Sequence, residues 1–140
     1  LDSGTKEEDV FLSGKLHTVR PIALLNRPVF CENSRAYTVL HTDHFGQVVQ
    51  VEVGALLVGR IQNHHGPGPF QKGQEKGLFL FGGSTILLLL EPHRVALLPE
   101  LLTQCQGGRE IPVRQGQTLG YAASAQNALR PSSAVAAAKA

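Results

Sequence analysis

Residues 81 to 90 read FGGSTILLLL, and the Gly83–Ser84 peptide within them is the bond in this chain with the most distinctive reactivity. In a strained turn a serine hydroxyl can attack the carbonyl that precedes it, moving the acyl group from nitrogen to oxygen and turning the peptide into an ester. β-Elimination then frees the Gly83 carboxylate and leaves dehydroalanine at position 84, which tautomerises and loses ammonia to become a pyruvoyl group. Glycine suits the upstream side, because it tolerates unusual φ/ψ values and leaves room for the tetrahedral intermediate. The hydroxyl also needs a base, oriented by a third group. Most Gly-Gly-Ser stretches are plain turns, so these residues alone leave turn and self-processing both open.

Six histidines offer a second kind of chemistry, four of them in two pairs. His41 and His44 bracket Asp43 in HTDHFG, and His64 and His65 stand together before Gly66. A metal site wants three or four converging nitrogen, oxygen or sulfur ligands. One Asp beside a His-x-x-His falls short, and a solvated cluster at a strand end is the preferred reading. His65, at the neck of a Gly-rich loop, is the better candidate for acid–base work, because imidazole titrates in the useful range. The Gly-rich stretches match neither GxxxxGK[ST] nor GxGxxG before a helix, and no GxSxG elbow occurs. Nucleotide binding and an acyl-transfer serine are thereby disfavoured, and no metal is expected.

The elements that must hold these residues read as mostly β. Pro and Gly are spread along the chain, β-branched residues come in short runs, and helical periodicity is scarce. Arg35 to Thr42 reads as a strand. Gln47 to Ile61 begins with alternation, Val49, Val51 and Val53 on one face against Gln50 and Glu52 on the other, then turns wholly apolar after Gly54. That predicts a strand, a glycine bend and a strand buried on both faces. Asn63 to Phe70, with two Gly-Pro pairs, predicts a loop. Gly77 to Phe81 and Ser84 to Leu90 predict two short strands separated by Gly82 and Gly83, and Pro99 opens one short helix that stops before Gly107. The opening residues LDSGTKEED suit a loop, and residues 123–140, rich in Ala and Ser, suit a disordered or loosely helical tail.

A faint repeat ties two of these regions together. FQKGQEKGLF (Phe70 to Phe79) and VRQGQTLGYA (Val113 to Ala122) share apolar-x-x-Gly-Gln-x-x-Gly at a separation of 43 residues. Pseudo-symmetric β-sandwiches of the lipoyl or biotinyl type use such turns to lead one strand into the next sheet. The expected fold is a compact mostly-β sandwich or barrel with pseudo-repeated hairpins and one short helix.

Composition sets limits on this picture. A chain of 140 residues suits one domain with a modest core. A formal charge of +2, with no basic patch interleaved with aromatics, excludes a nucleic-acid partner as the leading expectation. The longest aliphatic run, Ile86 to Leu90, is far shorter than the ~20 residues that span a bilayer. Cys31 and Cys105 form no CxxC, which suggests two free thiols in a reducing compartment. With no methionine and a start at Leu1, the chain is expected to be a piece of a longer protein.

The surroundings of Ser84 add a resemblance. VEVGALLVGRI, QKGQEKGLFLFGGSTILLLL and VRQGQTLGYA, preceded in order by SGKLHTVRPIA, ENSRAY and HTDHFG, resemble the carboxyl-terminal half of a phosphatidylserine decarboxylase of the subgroup that cleaves at GGST. The likeness runs from about Ser13 to Tyr121. It implies a carboxy-lyase that cuts itself between Gly83 and Ser84. Residues 1–122 would then be the catalytic core, with residues 1–83 in the β chain and residues 84–122 in the α chain, and residues 123–140 would be a tail. The implied cofactor is a covalent pyruvoyl group derived from Ser84, whose ketone carbon would form a Schiff base with the substrate's serine amine and act as the electron sink for loss of carbon dioxide. The implied partners are phosphatidylserine, a membrane surface and the chain's own cleaved pieces, and the implied location is the cytoplasmic face of a bacterial cell membrane, held peripherally. Family members carry the histidine motif and the aspartate of the self-cleavage triad, and membrane-meeting helices, upstream of the matched region. Neither His41 nor His44 is promoted to that base.

Two alternatives stand beside this reading. One is a lipoyl- or biotinyl-like carrier module with Lys72 or Lys76 as acceptor near a turn, though neither lies in a Met-Lys or Asp-Lys setting. The other is a pyruvoyl decarboxylase of a soluble amino acid.

Overall fold

The computed structural model describes residues 1–56, 60–81 and 84–123, and the backbone of 136–139. In chain order the elements are β1 (Gly4–Lys6), β2 (Val10–Leu12), α1 (Pro21–Leu24), α2 (Val29–Glu32), β3 (Arg35–Thr42), β4 (Gly46–Val53), β5 (Arg60–Asn63), β6 (Gly68–Phe70), β7 (Gly77–Leu80), β8 (Thr85–Leu90), β9 (Val95–Leu97), α3 (Pro99–Gln104), β10 (Gly120–Ala122) and β11 (Ala136–Lys139). A seven-stranded sheet runs β11-β8-β4-β3-β1-β6, with β2 also on β3, and β5–β7 and β9–β10 form two small sheets. Every strand pairing is antiparallel, and the chain is mostly β as its composition predicts.

The β3–β4 hairpin is the backbone of the sheet, paired from Arg35↔Val53 to Thr42↔Gly46. Its β-branched and aromatic residues favour a pleated surface. The turn is closed by Thr42, whose Oγ1 donates to the Gly46 carbonyl at 2.7 Å and accepts from the Phe45 amide at 3.0 Å. On the covered face lie Ala36, Thr38, Leu40, Val48 and Glu52, all buried. The face with Tyr37, Val39, Val49 and Val51 is only half-buried. The polar members of the alternation therefore point into the packed side.

Where β4 ends, the chain leaves the sheet for physical reasons. The Gly54 amide donates to the Ser34 carbonyl at 2.8 Å, and the Gly54 carbonyl accepts from Asn33 Nδ2 at 2.7 Å. Asn33 is fully buried and satisfied on both ends of its amide, since Nδ2 also donates to the His17 carbonyl and Oδ1 accepts from the His17 amide. The continuous strand expected through Ile61 is thus interrupted: Leu56 lies in a turn and is 61% exposed, and the strand resumes only at Arg60. Around this corner Val19, Val29 and Ala55 form a core cluster with Ala23, Leu24, Phe30 and Phe79.

Four further expectations are corrected. The opening polar residues supply β1, which lies inside the sheet between β3 and β6; its short polar run gives no period to read. The supposed loop Asn63–Phe70 ends in β6, and Pro69 is tolerated there because β6 is the last strand in the order, where a missing N–H costs no ladder bond. Three helices stand in place of one, because α1 and α2 are single turns too short to show periodicity. Within the tail, Ala136–Lys139 pairs with β8 as a strand, while residues 124–135 and 140 of that expectation lie outside the described residues.

The repeat, in contrast, is present in the backbone. In each copy an amide pairs with a carbonyl across a tight turn, Gln74 to Gln71 at 3.0 Å and Gln117 to Arg114 at 2.9 Å. The glutamine side chain then accepts back from the first residue's amide, at 3.0 Å in Gln71–Gln74 and 2.9 Å in Arg114–Gln117. Gly73 and Gly116 hold φ of 85° and 80°, a region that side chains disfavour. Gly77 and Gly120 then open β7 and β10, with no room for a Cβ against the carbonyls of Gln62 and Ala96. Even the bond outside each ladder matches: His64 N–H to Lys76 carbonyl and Leu98 N–H to Leu119 carbonyl, both 2.9 Å.

Candidate active site

Ser84 stands between the turn at Phe81 and the first residue of β8, and is 1% exposed. Its hydroxyl donates a hydrogen bond to the Val53 carbonyl, the last of β4. Val53 pairs with Thr85 in the ladder, and both are buried. The Asn33 amide fixes the next carbonyl along, so the acceptor of Ser84 sits on a strand end that is itself tied down. A main-chain carbonyl positions the hydroxyl but cannot take its proton. Gly83, the other half of the expected cleavage site, and Gly82 lie outside the described residues.

Beside this strand end lies a buried ionic network that periodicity did not reveal. Lys76 Nζ donates to Glu52 Oε1 at 2.8 Å and meets Asp9 Oδ1 at 3.1 Å. Asp9 also takes a bond from Lys6 Nζ at 2.8 Å and one from the Thr38 hydroxyl, while Gln50 Nε2 donates to Glu52 Oε1 at 2.8 Å. Burial works to raise the Asp9 carboxyl, but the bonds from Lys6, Thr38 and Lys76 outweigh it and hold the group below its ordinary value. Glu52 Oε2 is buried without a hydrogen-bond partner among the described residues. The residues come from β1, the β1–β2 link, β3, β4 and the first repeat turn, so no local motif announces them.

The histidines go elsewhere. His41 Nε2 lies 2.8 Å from Glu7 Oε1, and the His44 ring lies 3.2 Å from Asp2, whose Oδ2 also accepts the His44 amide at 2.8 Å. Desolvation pushes the Asp2 carboxyl up, yet the His44 and Ser3 bonds hold it below its ordinary value. His64 Nδ1 meets Glu75 Oε1 at 2.9 Å and stacks edge-on with His65 at 6.4 Å. The structure thus gives His41 and His44 separate carboxylate partners. Among the described residues no group of three or more His, Cys, Asp or Glu is arranged to hold a metal. His65 lines a cavity of about 100 Å³ with Lys6, Gln50 and Lys76. Lys76, one proposed acceptor of a carried group, is engaged in two ion pairs. Cys31 and Cys105 are free and exposed.

Fold and site define a mostly antiparallel β chain built around a buried serine at a strand entry. Residues 1–121 match the phosphatidylserine decarboxylase family, and the chain belongs to it. Among its relatives, phosphatidylserine decarboxylase proenzyme 2 of Clostridium acetobutylicum is 43% identical over 120 residues, covering 86% of this chain and 41% of the relative. The proenzyme of Clostridium novyi is 43% identical over 122 residues and that of Desulfitobacterium hafniense (strain DCB-2) 38% over 122, again 86% of this chain and 41% of the relative. This chain therefore spans about 41% of the length of the curated relatives it matches. No solved structure matches it.

Proposed function

We propose that residues 1–122 are the serine-bearing catalytic portion of an enzyme that decarboxylates phosphatidylserine to phosphatidylethanolamine and carbon dioxide, after self-cleavage between Gly83 and Ser84. The observation that carries this reading is the enclosed Ser84, anchored to Val53 at the entry of β8, within the family match. In cleavage the Ser84 oxygen bonds to the Gly83 carbonyl carbon as the Gly83–Ser84 C–N bond breaks, and the released nitrogen takes a proton. Elimination removes the Ser84 α-proton, breaks the Cβ–O bond and leaves Gly83 as a carboxylate; tautomerisation, addition of water and loss of ammonia complete the pyruvoyl group. The base comes from residues outside this chain, since the Val53 carbonyl only orients the hydroxyl.

Both products of such a cut stay in one fold. Thr85–Leu90 of β8 pairs with Val48–Val53 of β4, so the new carboxyl-terminal piece remains laddered to the amino-terminal one. The pyruvoyl group supplies an electron sink for the carboxylate's electron pair. The chain's own residues fit it: the strand pairing and the bonds at Val53 and Gly54 hold position 84 rigid and shield it from water. Among the described residues no helix is long and apolar enough to cross a membrane, which accords with peripheral contact at the cytoplasmic membrane face.

The test is conversion of radiolabelled phosphatidylserine by the polypeptide as the cell makes it. Phosphatidylethanolamine should accumulate with the native protein and be abolished by Ser84→Ala. Turnover by the variant would refute the assignment, and turnover of free serine in place of the lipid would transfer it to a soluble substrate.

A further inference from the structure

The corner around Val19, Val29 and Ala55 buries one set of apolar residues and exposes another beside it. On α1, Ala23 and Leu24 pack against the cluster, while Ile22 is 66% exposed and Leu25, the residue after the helix, 83%. Leu56 follows the buried Ala55 and is exposed; Phe81 comes two positions after the packed Phe79 and is 88% exposed. A phenylalanine that exposed is uncommon, and this one is held at φ 71°, a conformation that costs a bulky side chain energy. Water gives nothing in return for presenting a ring this way.

Charge narrows what could cover these side chains. Residues 13–35, which contain α1 and α2, hold Lys15, Arg20, Arg27 and Arg35 against a single acidic residue, Glu32. That segment is more positive than the whole chain, whose formal charge is +2. Apolar side chains rimmed by arginines suit an anionic lipid surface, where the rings and aliphatic groups enter the acyl boundary and the guanidinium groups stay among the headgroups.

We infer that Ile22, Leu25, Leu56 and Phe81, rimmed by Arg20 and Arg27, form the face by which this chain seats on an anionic bilayer. The inference rests on the proposed activity only for the identity of the lipid. It places Phe81, three residues before Ser84, at the membrane boundary, so that a headgroup reaches the site without leaving the bilayer. Burying one large apolar side chain is enough to change a partition coefficient about tenfold or more.

Co-sedimentation with phosphatidylcholine vesicles, with and without phosphatidylserine, tests this on the chain and on Phe81→Ser and Ile22→Ser/Leu25→Ser. All the altered side chains are exposed, and circular dichroism confirms folding of each variant. The chain should bind the phosphatidylserine vesicles, lose affinity on added salt, and bind about tenfold more weakly in either variant. Absence of binding, equal binding by the variants, or indifference to phosphatidylserine would overturn the inference. So would a dimer in sedimentation velocity that the variants abolish, which would give the face to a second copy. Ser84→Ala should bind as the native chain does, so that failure of the activity and failure of the membrane face are read separately.

Discussion

The two Gly-Gln-x-x-Gly hairpins share a turn, a glutamine brace, a glycine pressed against a neighbouring carbonyl and a matching bond beyond the ladder, yet they differ at one position before that glycine. The first has Lys76, whose ammonium enters the covered side of the sheet and joins Glu52 and Asp9. The second has Leu119, and its turn closes β9–β10 without any such network on it among the described residues. The first also continues through β7 to Phe81 and Ser84. The same backbone device is thus used once as plain scaffold and once to link a buried ionic cluster to the serine-bearing segment.

The sharpest way to break this comparison is at the differing position. Lys76→Met should destabilise the fold by about 3 kcal/mol, because it leaves the buried Glu52 carboxylate with only Gln50, whereas Leu119→Met should cost under about 1.5 kcal/mol. Chemical denaturation of the two variants measures the gap, and equal losses would remove the distinction between the hairpins. Gly77→Ala and Gly120→Ala should come next, each costing about 1–3 kcal/mol, since the added methyl would lie 2.2 Å from the Gln62 carbonyl and 2.5 Å from the Ala96 carbonyl. Thermal melts should place the two within error of each other.

Acid should separate the hairpins again, more gently. Asp9 has a lowered value in the folded chain, so its contribution is present above the ordinary carboxylate range and is lost as pH falls through the folded value. Hydrogen exchange below about pH 4 should therefore show β7 and the amide of Lys76 losing protection before β9 and β10. The smallest effect should be the most symmetric: Gln74→Ala and Gln117→Ala each remove one side-chain-to-backbone bond and should cost about 0.5–1.5 kcal/mol alike, read from denaturation midpoints.

The regions of this molecule that were legible in its sequence have a local chemical signature. Gly73, Gly77, Gly116 and Gly120 sit at fixed offsets because a positive φ and a close approach each require glycine, so the repeat could be seen before the fold. The β3–β4 hairpin showed itself by β-branched alternation, and Ser84 by the ordered blocks around Gly-Gly-Ser-Thr. The alternation named two faces of β4 without saying which one is covered, and the buried one proved to be the face of Glu52. Lys6, Asp9, Thr38, Glu52 and Lys76 meet only through the sheet order β4-β3-β1 and the hairpin that brings back Lys76. The strands β1, β6 and β11 went unread because three polar residues, a Gly-Pro pair and an alanine run leave no period to detect.

The central claim is that Ser84 is a junction in the backbone, and intact mass of the polypeptide as the cell makes it tests that directly. The account predicts two pieces, the first ending at Gly83 and the second beginning at position 84 with no free amine, together with a single uncut chain for Ser84→Ala. A native protein that stays whole, or a Ser84→Ala variant that still separates into the same two pieces, would contradict it.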